Sequence, residues 1–163
     1  MIFARRPGRL AGRRLALGVL VIVAAGPLAA CGGLLSGTRP AQRGPVDGRL
    51  RPVREDLSNA VSSFATTEYH RIAPIAAGPD PKAAFARLRG VVAAMPGAAV
   101  VDERPGYLYF EFTTRWLRFV DDVEFLLDEP AAVIHVRSAS RLGRRDFGVN
   151  RERIEAIRTR MAG

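Results

Sequence analysis

Cysteine is almost absent from this chain of 163 residues: there is one, Cys31. A single thiol excludes an internal disulfide and any cysteine-rich zinc centre. Histidine is scarce as well, with two residues, which excludes a histidine-rich metal cage. No uninterrupted apolar run reaches the roughly 20 residues that a spanning helix needs. Acidic residues are missing from the first thirty positions, where Arg5, Arg6, Arg9, Arg13 and Arg14 stand unopposed. The remainder holds 20 basic and 16 acidic residues, so much of the net charge of +9 is local to one end. A basic excess confined to a terminal segment is not a nucleic-acid footprint, and no nucleic-acid partner is expected. What is plentiful is apolar content, 48% of the chain, enough for the core of one modest domain.

The arginines precede a charge-free stretch, residues 15–30, interrupted by Gly26 and Pro27. A basic segment followed by a short apolar one is the layout of a secretory signal. Its end, Leu28-Ala29-Ala30-Cys31, resembles the lipobox of bacterial lipoproteins. That resemblance implies removal of residues 1–30 and acylation of Cys31, with the lipid holding the protein in the cell envelope. Two or three acyl chains, at about 0.8 kcal/mol per buried methylene, make a firm anchor. An ordinary signal followed by a chance cysteine is the alternative. Gly32 stands after Cys31. An aspartate there would imply inner-membrane retention, so the outer membrane is expected in a two-membrane cell.

Residues 31–56 are dominated by glycine, proline and arginine without a period and read as a flexible tether. The folded domain is expected over 57–163. Asp80-Pro81 starts a helix carrying Phe85, Leu88, Val92 and Met95 on one stripe, and Pro96-Gly97 stops it. Four strands follow, near 98–103, 107–116, 119–127 and 132–140. Asn150 is expected to cap a last helix with Ile154, Ile157 and Met161 on its apolar face. The fold class is therefore α+β: one domain, an antiparallel sheet of about four strands, and an N-terminal and a C-terminal helix packed on one face. That face would carry Phe110, Phe112, Trp116, Phe125 and Ile134.

A turn at 128–131 pairs Leu127 with Ala132, which sets Glu124 opposite His135 and Asp122 opposite Arg137. Tyr107, Tyr109, Glu111 and Arg115 share that second face, read as solvated with cross-strand ion pairs, or as a binding or acid–base surface. Asp121 and Asp122 are neighbours on a strand and point to opposite faces, so they cannot chelate one ion together. No metal or other cofactor is expected.

The stretch Arg118-Phe119-Val120-Asp121-Asp122-Val123-Glu124-Phe125 is followed by Val133 to Gly143 and by Asp146-Phe147-Gly148-Val149-Asn150-Arg151. Together these resemble the bacterial and plastid family called domain of unknown function 1499, over roughly residues 50–160. The resemblance implies a small exported or membrane-attached protein with no established chemistry. It also implies two cysteines near the start of the domain; here Ala60 replaces one, and Val53 or Arg54 the other. The motif residues Arg118, Asp121, Asp122, Glu124, His135, Arg137, Ser138, Arg141, Asp146, Asn150 and Arg151 are the candidates for a binding or structural site. The expected function is a non-catalytic binding or scaffolding module on a lipid anchor, with an envelope protein as its partner. A small-ligand or lipid carrier with a pocket between sheet and helices is one alternative. A hydrolase-type enzyme using Asp122, Glu124 and His135 is the other.

Overall fold

A computed structural model describes residues 35–163. The expected signal peptide and Cys31 lie outside the described residues. The elements run β1 (Ala60–Ser62), β2 (Ile75–Ala76), α1 (Pro81–Ala93), β3 (Ala98–Arg104), β4 (Tyr107–Thr113), β5 (Val120–Asp128), β6 (Val133–Ser140) and α2 (Val149–Ala162). All strand pairs are antiparallel, in the order β1-β6-β5-β4-β3, with β2 also paired to β6. The domain is α+β, as the sequence predicts, but its sheet has six strands rather than about four. Two short strands precede α1, so the first helix is not the N-terminal element. β1 and β2 are too short to show alternation, and they exist because β6 offers them a free edge. β1 sits on that edge and carries Ala60.

α1 begins where its cap chemistry requires. Asp80 accepts a hydrogen bond from the Ala83 amide at 3.0 Å, and Pro81 takes the first turn, where a missing N–H costs nothing. Gly97 ends the connection to β3 on a left-handed backbone, φ 79, with its Cα against the Thr113 carbonyl. An added Cβ would lie 2.4 Å from that oxygen, so no other residue fits. Leu88 and Val92 of α1, Ile154 and Ile157 of α2, and Phe110 and Phe125 of the sheet are all fully buried in one cluster. Trp116 does not join them. β4 stops at Thr113, and Thr114 closes the following loop through its amide to the Phe119 carbonyl and its hydroxyl from the Phe119 amide, both at 2.9 Å. Trp116 therefore sits on that loop, 82% exposed.

The β5–β6 register also differs from expectation. Asp128 pairs with Val133 and Leu127 with Ile134, so the ladder is displaced by two residues. Ala132 belongs to the turn, on left-handed backbone at φ 51, and the Asp128 carboxylate accepts the Ala131 amide at 3.0 Å. A two-residue slip keeps every side chain on its expected face and changes every partner. Glu124 thus stands opposite Arg137, Asp122 opposite Ala139, and His135 opposite Leu126. The pairings Glu124–His135 and Asp122–Arg137 do not exist.

Candidate functional site

The second face of the sheet is neither open nor solvated. Tyr107, Tyr109, Asp122 and Glu124 are all buried there. What covers them is the segment read as a tether. Leu50, 3% exposed, packs against Tyr107 and Tyr109. The Arg43 guanidinium lies 5.6 Å over the Tyr109 ring. The Gly44 amide donates to Glu124 Oε1 at 3.0 Å. Gly44 reaches that carboxylate on left-handed backbone at φ 88, a conformation that suits glycine. Residues 39–53 therefore form a strap across the sheet, held by backbone, apolar and cationic contacts.

Beneath the strap, each carboxylate has an arginine. Asp122 takes Arg141 on both oxygens, with Arg141 Nη2 at 2.7 Å from Oδ1 and Nε at 3.1 Å from Oδ2. Arg141 also reaches Glu111 and the Tyr109 hydroxyl, and Arg39 of the strap closes on Glu111 from outside. Glu124 accepts Arg137 Nη1 at 3.1 Å and the Tyr107 hydroxyl at 2.7 Å. The Tyr109 hydroxyl donates to Asp122 at 2.5 Å. Burial, and then the adjacent carboxylates Glu124 and Asp122, push the Tyr107 and Tyr109 phenols well above their usual range. Burial pushes the Glu111 carboxyl up, but Arg39 and Arg141 outweigh it and hold it below the ordinary value. Burial weakens Arg141's hold on its proton, and the bonds to Asp122 and Glu111 more than restore it.

A second polar cluster lies on the helix side. Asp121, pointing opposite to Asp122, takes Arg153 Nη2 of α2 at 2.5 Å. Arg153 continues to Ser138 Oγ and Asn150 Oδ1, and stacks 4.7 Å over Phe112. Ser138 donates to Asn150 Oδ1 at 2.5 Å. Asn150 does not cap α2; Gly148 does, and Asn150 lies in the first turn, fully buried. Its amide nitrogen donates to the Asn59 carbonyl and to Asp146, tying α2 to β1 and to the 141–148 loop. Asp146 also accepts the Gly148 and Asn150 amides. Arg151 donates to the carbonyls of Tyr69 and Arg71. These motif side chains fasten the irregular segments to the sheet.

His135 pairs with Leu126 and makes no hydrogen bond to Asp122 or Glu124. It stacks on Phe64 at 4.3 Å and has Asp128 at 3.6 Å. The other histidine, His70, is structural: Nε2 donates to the Leu57 carbonyl at 2.7 Å and Nδ1 accepts the Thr67 hydroxyl at 2.6 Å. A carbonyl only accepts, which fixes that tautomer. Arg118 lies on the exposed 114–118 loop and lines an open groove that Arg153 also borders. The motif residues thus divide among two ion-pair clusters, one loop network and one exposed loop, with His135 outside all four. Arg39, Glu111, Asn59 and Arg153 are members that the motif reading missed. Arg153 had a signal, since it follows Asn150 by three positions and so shares its helix face.

Among the described residues no helix is long and apolar enough to cross a membrane, and no three His, Cys, Asp or Glu side chains could hold a metal ion. No curated protein and no solved structure matches the chain. The family described as protein of unknown function, DUF1499, matches it over residues 53–161, and the chain belongs to that family.

Proposed function

We propose that the protein is a cell-envelope lipoprotein whose single domain is a non-catalytic binding or scaffolding module, anchored through acylated Cys31. The observation that carries the reading is the state of the sheet carboxylates. Asp121, Asp122 and Glu124 each hold an arginine within 3.1 Å and are buried. An acid–base residue must reach substrate, and a carboxylate closed between an arginine and the strap, or held by Arg153 of α2 on the core side, does not. The register sets Glu124 against Arg137 rather than His135, which removes the proton-transfer pair an enzyme would use. A carrier would need space between sheet and helices, where Leu88, Phe110, Phe125, Ile154 and Ile157 are packed with no exposure. The anchor rests on Leu28-Ala29-Ala30-Cys31 and on the absence of any other cysteine.

The test is metabolic labelling with palmitate in a bacterium producing the full chain, followed by in-cell cross-linking. The wild type incorporates label and gives a discrete heteromeric adduct, and Cys31→Ala incorporates none. Label retained by Cys31→Ala, or absent from the wild type, contradicts the anchor. A wild type that forms no adduct contradicts the binding role.

A further inference from the structure

Two loops meet at one end of the sheet. Residues 114–119 join β4 to β5, and residues 141–148 join β6 to α2; Asp121 pairs with Ser140, and the Arg141 amide donates to the Val120 carbonyl, so the loops are neighbours. The first presents Trp116 at 82% exposure and Leu117 at 60%, and the second Phe147 at 90%. Packing explains none of these, because an exposed aromatic gains nothing from folding. The backbone adds to the anomaly. Arg118 and Phe147 both sit on left-handed backbone, at φ 58° and φ 55°, a conformation that costs a non-glycine residue stability.

Cations surround the apolar tips. Arg115, Arg118, Arg144 and Arg145 are exposed, and the Arg115 guanidinium stacks 5.0 Å over the Trp116 ring. Among the nearby acids, Asp146 is turned into the Asn150 network and Asp56 is paired with Arg54, leaving Glu152 facing an open groove shared with Arg115 and Arg118. An aromatic and leucine tip ringed by arginines matches a bilayer interface: Trp settles at headgroup depth, and guanidinium groups pair with anionic phosphate. The chain also arrives at this end. Gly37 lies against Arg141 and Leu142 so closely that an added Cβ would meet Arg141 Cβ at 2.8 Å. It is six positions from Cys31 in the sequence, a reach of about 20 Å at most.

We propose that this end of the domain, with Trp116, Leu117 and Phe147 at its tip and Arg115, Arg118, Arg144 and Arg145 around it, is a docking surface for a bilayer rich in anionic phospholipid. The short reach to the membrane rests on the reading of Cys31 as the anchor, whereas the composition of the loops does not. Docking would hold this end of the domain against the membrane.

Trp116 is the sole tryptophan of the chain, so its fluorescence reports this surface alone. The full-length protein is reconstituted into neutral phosphatidylcholine vesicles and into vesicles enriched in phosphatidylglycerol. Emission is followed together with quenching by aqueous acrylamide and by brominated acyl chains. Phosphatidylglycerol should shift emission to the blue, protect Trp116 from acrylamide and expose it to the brominated lipid. Arg115→Gln with Arg118→Gln should weaken the response about 25-fold in lipid dependence, at about fivefold per arginine. Both substitutions are on an exposed loop, so folding is retained. Equal acrylamide access in the two vesicle types overturns the proposal. So does protection that arises only in native envelopes and not with phosphatidylglycerol, which would assign the surface to a protein partner. Palmitate labelling reads the anchor separately, so failure of one reading is distinct from failure of the other.

Discussion

Asp122 and Arg141 are bound to one another on both carboxylate oxygens, and neither side chain is more than 6% exposed. Arg141 follows the end of β6, and Asp122 lies inside β5. The pair therefore fixes the point where the sheet ladder gives way to the 141–148 loop. Its partners extend it in both directions, through Tyr109 and Glu111 across β4 and through Arg39 to the strap. Taking such charges out of water is costly, and each repays the cost only while its partner is present. The network works by mutual dependence rather than by surplus stability.

The strap should behave as part of the domain. Leu50→Ala removes a buried side chain that packs on Tyr107 and Tyr109. The expected loss is about 2–4 kcal/mol. Denaturant titration of the variant and wild type measures it. A change within about 0.5 kcal/mol is what a free tether would give.

Glu111 makes stability depend on acid. Its carboxyl is held below the ordinary value by Arg39 and Arg141, against burial. A depressed folded-state pKa gives stability that is fully present above the unfolded value, near 4.5, and is lost as pH falls through the folded one. Between neutral pH and about pH 5 this contribution should be constant, and below about pH 4.5 it should decline. Glu111→Gln should lower stability at neutral pH and flatten the acid limb. Equal acid slopes in the two proteins would show that Glu111 is not the group responsible.

The elements most legible in the sequence are those with strong local signals. Asp80-Pro81 announces α1, and strict alternation from Tyr107 to Thr113 announces β4 and its two faces. The opposite placement of Asp121 and Asp122 follows from strand geometry alone, and each has its own arginine on its own side. The partners were less legible, because a register depends on where a turn begins and ends. Ala132 on left-handed backbone takes the turn one residue further, and Asp128 joins the ladder. The strap was illegible for a different reason. Leu50 is a single apolar residue among glycine, proline and arginine, and only the sheet face it covers makes it core. Trp116 reads as core because alternation continues past Thr113, although Thr114 ends the strand.

The central claim is that the second sheet face is a closed, structural charge network, and a double-mutant cycle on Asp122→Asn and Arg141→Gln tests it most directly. Arg141→Gln leaves the buried Asp122 carboxylate without a cation and should cost about 3–5 kcal/mol, and Asp122→Asn, which leaves Arg141 with Glu111, should cost about 2–3 kcal/mol. The double variant should be no less stable than the worse single one, giving a coupling above about 2 kcal/mol. Additive losses, each within about 1 kcal/mol, are what an exposed pair would give and would contradict the account.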